Sequence, residues 1–126
     1  MTEKLLIVED EDTLRESLKR VLQHEGYTVD SVDSCESAFD SLECKSYDLI
    51  ISDIILPGVD GLDLLRRCKG LHPNLVVIII TAYASIETAV KAMKIGAYDY
   101  LVKPINHVEL KALVRKALDE RSAGKI

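Results

Sequence analysis

The chain has 126 residues, 48% of them hydrophobic, which suits one domain around a single buried core and leaves no room for a second. No apolar run approaches the ~20 residues of a membrane span, and no signal-like stretch follows Met1-Thr2-Glu3-Lys4, so a cytoplasmic protein without membrane contact is expected. A net charge of -5, from 21 acidic against 16 basic residues, argues against direct nucleic-acid binding, which needs clustered Lys and Arg.

In chain order, Leu5 to Val8 is a continuous apolar run and predicts a strand. The stripe Leu14, Leu18, Val21 and Leu22 predicts a helix, with Thr13 and Glu16 at capping-box spacing and Gly26 as its stop. Tyr27 to Val32 is a second strand, placed at a sheet edge because Thr28, Asp30 and Ser31 interrupt it. Helix Cys35 to Lys45, strand Leu49 to Ile51, helix Gly61 to Leu71, strand Leu75 to Ile80 and helix Ser85 to Ile95 follow. Strand Tyr100 to Val102 precedes a last helix capped by Asn106, with Leu110, Leu113, Val114, Ala117 and Leu118 on one face. This alternation predicts an α/β fold: five parallel strands, right-handed crossovers and helices on both faces. Such sheets work at the carboxyl ends of their strands.

What stands at those ends is informative. The first run ends in Glu9 and Asp10, the third in Ser52 and Asp53, the fourth in Thr81 and the fifth in Lys103. Parallel strands gather these groups at one edge, although four separate parts of the chain supply them. Crowded carboxylates repel until one takes a proton or a cation binds, and an all-oxygen set suits Mg²⁺. Cys35, Cys44 and Cys68 have neither CxxC nor metal-ligand spacing, and His24, His72 and His107 are expected away from this edge, so nothing favours zinc. A cation beside a lysine can neutralise phosphoryl oxygens, with a carboxylate as nucleophile. Asp53 is the expected acceptor, Asp10 the metal ligand, Lys103 and Thr81 the groups that meet the phosphate.

These residues resemble the receiver domain of two-component response regulators, over Lys4 to about Glu120. The carriers are Leu6-Ile7-Val8-Glu9-Asp10, then Asp53 with Leu56-Pro57-Gly58 and Asp60-Gly61, then Thr81-Ala82 and Lys103-Pro104. The resemblance implies a flavodoxin-like doubly wound sheet of order 2-1-3-4-5, and Mg²⁺ held by Asp10, Asp53 and the backbone carbonyl of Ile55 with Glu9 assisting. It implies transfer to Asp53 from a sensor histidine kinase, a cis Lys103-Pro104 peptide, and Tyr100 as a switch aromatic coupled to Thr81. The output surface it implies is the fourth helix, fifth strand and fifth helix, with Glu87, Lys91, Lys94, Asp99, Lys111 and Lys116 exposed, and with a phosphorylation-promoted homodimer as one use. The protein would then be a signalling domain that catalyses only its own phosphorylation and dephosphorylation.

Ile55 and Tyr83, two positions after Asp53 and Thr81, are not the small polar or acidic residues that orient an attacking water, so slow self-dephosphorylation is expected. The stretch from Thr81 to Tyr100 is similar to receivers of the nitrogen-regulation class, which precede an AAA+ module and a DNA-binding domain. Residues 120 to 126 would on that reading begin a linker to an output domain of a transcription activator. A haloacid-dehalogenase-like phosphatase also pairs an aspartyl nucleophile with Mg²⁺, but it needs an acid where Ile55 stands. A nucleotide-binding module lacks its glycine-rich loop after the first strand.

Overall fold

Successive residues of a strand point to opposite faces, so a run that is apolar throughout must be covered on both sides. The computed structural model describes residues 2–56, 60–82 and 85–125. The strands are β1 (Lys4–Val8), β2 (Thr28–Val32), β3 (Leu49–Asp53), β4 (Val76–Thr81) and β5 (Asp99–Val102). Between and after them lie α1 (Asp12–His24), α2 (Cys35–Cys44), α3 (Gly61–Leu71), α4 (Ile86–Ile95) and α5 (His107–Ser122). All pairings are parallel, in the order β2-β1-β3-β4-β5.

Leu5 and Ile7 of β1, Leu49 and Ile51 of β3, and Val76, Ile78 and Ile80 of β4 pack in one core layer with Leu18 and Leu22 of α1 and Leu110, Val114 and Leu118 of α5. The alternate residues Leu6, Val8, Ile50, Val77 and Ile79 pack in a second layer with Ala38 of α2, Leu64, Leu65 and Cys68 of α3 and Ala92 of α4. β2 is an edge strand, as its polar interruptions imply. There Asp30 accepts hydrogen bonds from Tyr47 Oη at 2.7 Å and Lys45 Nζ at 3.1 Å. Charge on an edge discourages pairing with another chain.

Three local features differ from the sequence expectation. The capping box is absent: Thr13 lies inside α1, whose N-cap is Glu11 without a side-chain cap bond. The chain turns earlier because Glu9 Oε2 accepts the Glu11 N–H at 3.0 Å. β3 continues past Ile51 because Ser52 and Asp53 remain in register with Ile79 and Ile80 of β4, so Asp53 belongs to the strand itself. α5 runs through Ser122, and its last turns are pinned: Arg121 bonds Asp48 at 2.8 Å and the Asn74 carbonyl at 3.0 Å, while Tyr98 Oη donates to Glu120. Gly26, at φ 97°, stops α1 as expected.

Gly61 opens α3 directly beneath the end of β3, with its N–H on the Ile54 carbonyl at 2.7 Å. A Cβ there would lie 2.3 Å from the Asp53 carbonyl oxygen and 2.7 Å from Ile54 Cα, both backbone atoms that cannot yield cheaply. A Cβ at the exposed Gly70 of the same helix meets nothing within 4 Å. Urea unfolding should therefore find Gly61→Ala destabilised by about 1–3 kcal/mol through overpacking. Gly70→Ala should be more stable than native by about 0.5–1 kcal/mol through reduced backbone entropy. Equal effects at the two sites would contradict this packing.

Candidate functional site

β1 and β3 lie side by side with Val8 opposite Ser52, so the residues that leave β1 meet the end of β3. β5 reaches the same edge across β4, where Val102 pairs with Thr81 and the Lys103 N–H donates to the Thr81 carbonyl at 2.8 Å. Lys103 Nζ then stands 2.6 Å from Asp53 Oδ2 and 2.8 Å from Glu9 Oε1. The Lys103-Pro104 peptide is cis.

Only the Asp53 contact has hydrogen-bond alignment. Glu9 is fully buried, and its Oε1, although ion-paired by distance, has no directed hydrogen bond. Asp53, 5% exposed, accepts the Ile55 N–H on Oδ1 at 3.1 Å, and the Ser52 hydroxyl donates to its carbonyl at 3.0 Å. Asp10 is exposed at the rim. One oxygen each from Glu9, Asp10 and Asp53 lies within 4.8 Å of the others.

The electrostatics follow from this crowding. Burial, reinforced by the Asp53 charge, raises the Glu9 carboxyl above its usual value, and Lys103 and the Glu11 N–H offset only part of the rise. Burial opposes the Lys103 ammonium, but its hydrogen bond to Asp53 and its ion pair with Glu9 outweigh that and hold it above the usual lysine range. The site thus confines more negative than positive charge, with one buried oxygen lacking a directed donor. Oxygen donors in that arrangement suit a hard divalent cation.

Glu9, Asp10, Asp53 and Lys103 are therefore together. Thr81, 2% exposed, ends β4 beside them, and the half-buried Tyr100 faces it across a small cavity of about 10 Å³ also lined by Ile54, Ser85, Thr88, Ala89 and Ala92. Ile55 is 54% exposed at the mouth. Tyr83 lies outside the described residues, as do Pro57, Gly58 and Ala84. His107 opens α5 on this same edge rather than away from it, but joins no metal-ligating group among the described residues. On the expected output surface, Glu87, Lys91, Lys94 and Lys116 are exposed, whereas Asp99 and Lys111 are half-buried; Asp99 Oδ1 accepts the Tyr100 N–H at 2.7 Å.

Sequence reasoning passed over Arg15. Its guanidinium donates to the Glu9 carbonyl at 3.0 Å and to Asp12 Oδ1 at 2.6 Å. The i, i+3 spacing of Asp12 and Arg15 was the available signal.

The family profile described as the response regulator receiver domain matches residues 5–115. Over 116 residues, 92% of the chain, it is 42% identical to the response regulator protein FleR of Pseudomonas aeruginosa, and over 112 residues, 89% of the chain, 42% identical to the DNA-binding transcriptional regulator NtrC of Klebsiella pneumoniae. The chain spans 24% of the length of each of these relatives. A CheY-like receiver domain protein from Methanospirillum hungatei superposes with a TM-score of 0.95 at 31% identity, covering 98% of this chain and 99% of that one.

Removal of the ammonium should expose the repulsion it restrains. Lys103→Met should lower unfolding stability by about 3 kcal/mol in the presence of a chelator, because it strands a buried carboxylate pair. Excess Mg²⁺ should restore more stability to this variant than it adds to the native protein. Urea titrations in both conditions check this, and a variant as stable as native without metal would refute the electrostatic description.

Proposed function

This chain belongs to the response regulator receiver domain family, and we propose that Asp53 accepts a phosphoryl group from the phosphohistidine of a sensor histidine kinase in a Mg²⁺-dependent reaction. The observation that carries the reading is the contact of Lys103 Nζ with Asp53 Oδ2 at 2.6 Å inside a cluster of three carboxylates.

The residues fit the ion, since Glu9 Oε1 is buried without a directed donor and the neighbouring ligands are all oxygen. Asp10, Asp53 and the Ile55 carbonyl would hold it, with Glu9 assisting. When bound, Mg²⁺ supplies neutralisation of the phosphoryl oxygens. Asp53 provides the attacking oxygen: the O–P bond forms as the donor P–N bond breaks, and the imidazole nitrogen keeps the electron pair. Lys103 lies within reach of the oxygens that gain charge, and the Thr81 hydroxyl donates to one of them. The rest of the catalysis is positioning, supplied by strand ends that the sheet holds rigidly.

An aspartyl phosphate carries more charge and more acceptor oxygens than a carboxylate, so it rewards any conformation that brings Thr81 toward it. Tyr100 then follows into the space beside Thr81, and the α4–β5–α5 surface changes. That surface presents Ile86, Val90, Met93 and Val102 to solvent, apolar groups suited to a homodimer formed on phosphorylation or to an output domain. FleR and NtrC are named as a response regulator and a transcriptional regulator, which supports a transcription activator as the whole protein. Its linker would leave from the end of α5, and the domain would work in the cytoplasm. Among the described residues no helix is long and apolar enough to cross a membrane.

Incubation with Mg²⁺ and acetyl phosphate, followed by intact mass measurement, tests the acceptor. The native chain should gain the mass of one phosphoryl group, and Asp53→Asn should gain none. Modification of Asp53→Asn to the native extent would place the acceptor elsewhere.

Ile55 offers no group to orient water at the mouth of the site, so the phosphorylated form should be long-lived. Ile55→Asn should release phosphate faster, on the order of 100-fold, the lower end of what a positioned proton-transfer group contributes. Release that is fast in the native chain, or unaltered in the variant, would show that this position does not limit hydrolysis.

A further inference from the structure

Glu9-Asp10-Glu11-Asp12 is an unbroken run of four acids, and the site needs its first two members side by side. Their mutual repulsion favours a splayed loop, and the N-cap of α1 provides no side-chain bond to oppose it. Lys103 restrains Glu9 from the side of the sheet. From the side of the helix, Arg15 Nη1 donates to the Glu9 carbonyl at 3.0 Å and Nη2 to Asp12 Oδ1 at 2.6 Å. One planar group thereby grips both ends of the run. Its side chain is 15% exposed, and its bond to the Glu9 carbonyl is partly shielded from water, whereas Asp12 is exposed and its end of the grip faces solvent. The Glu11 N–H on Glu9 Oε2 and the Arg15 N–H on the Glu11 carbonyl at 2.9 Å complete the turn.

We propose that Arg15 is a positioning residue for the cation site: by holding the Glu9 carbonyl and the Asp12 carboxylate together, it sets the turn that aims Glu9 and Asp10 at Asp53 before a divalent ion arrives. The inference rests on the Mg²⁺-dependent reading above. A cation near a metal site also repels the metal, and the charges of Asp12, Asp33 and Glu16 offset part of that of the guanidinium. A lysine cannot replace it fully, because an ammonium lacks the fork that serves two acceptors with one fixed geometry.

Calorimetric Mg²⁺ titration of the native chain, Arg15→Ala, Arg15→Lys and Asp12→Ala, with amide hydrogen exchange on the metal-free proteins, tests this. Arg15→Ala should bind Mg²⁺ about tenfold more weakly, the lower end of what partners of metal ligands contribute, with faster exchange at Asp10 to Asp12. Arg15→Lys should recover part of the affinity, and Asp12→Ala, which keeps the bond to the Glu9 carbonyl, should lose less than Arg15→Ala. Unchanged or tighter Mg²⁺ binding by Arg15→Ala overturns the proposal, even if that variant unfolds at lower urea. A native chain that binds Mg²⁺ and is phosphorylated at Asp53 beside a variant that matches it sinks this inference alone. A native chain that binds no Mg²⁺ sinks the receiver reading with it.

Discussion

Carboxylates held together out of water repel, and everything at the working edge of this sheet depends on how that repulsion is restrained. Lys103 stands between Asp53 and Glu9 at contact distance, yet one ammonium cannot satisfy two buried carboxylates and a third at the rim. The imbalance is useful. It leaves Glu9 harder to ionise than an ordinary carboxyl, and on the proposed reading a divalent ion would relieve the repulsion by binding there. A fully satisfied network would be more stable and chemically inert.

The fold permits this because its stability is concentrated elsewhere. β1, β3 and β4 are covered on both faces by aliphatic residues, and that double layer fixes the strand ends against a local electrostatic penalty. The two sides of the molecule differ in how tightly they are held. α5 is tied down by Arg115 on Glu3 at 2.7 Å, by Arg121 on Asp48 and by Tyr98 on Glu120. Of the residues in α4, only Ala92 is fully buried, while Ile86, Val90 and Met93 face water. α4 is thinly packed beside a small cavity, and on the proposed reading a change at Thr81 would move it at little cost. On that reading, rigidity belongs to the chemistry and looseness to the output.

Much of this was legible in the chain itself. Continuous Val, Ile and Leu runs specify buried parallel strands, and polar interruptions mark the β2 edge, because both signals reflect burial, which dominates the energetics. The acids, Thr81 and Lys103 at strand ends were legible for the same reason: parallel topology converts sequence position into spatial position. What stayed hidden depends on contacts between side chain and backbone. Thr13 and Glu16 have capping-box spacing, but Glu9 captures the Glu11 N–H and starts the helix earlier. Asp53 reads as the residue after a strand, whereas its register with Ile80 keeps it inside one. Arg15 reads as an ordinary helical charge until the Glu9 carbonyl is found beside it.

The central claim is that Glu9, Asp10 and Asp53 form one cation site beside Lys103. Crystals soaked in Mn²⁺, a hard divalent ion visible by its anomalous scattering, test it directly. The account predicts an anomalous peak between the Asp10 and Asp53 carboxylates, within coordination distance of both and bordered by Glu9. Fully occupied Mn²⁺ sites elsewhere on the surface with none in this cluster would contradict it.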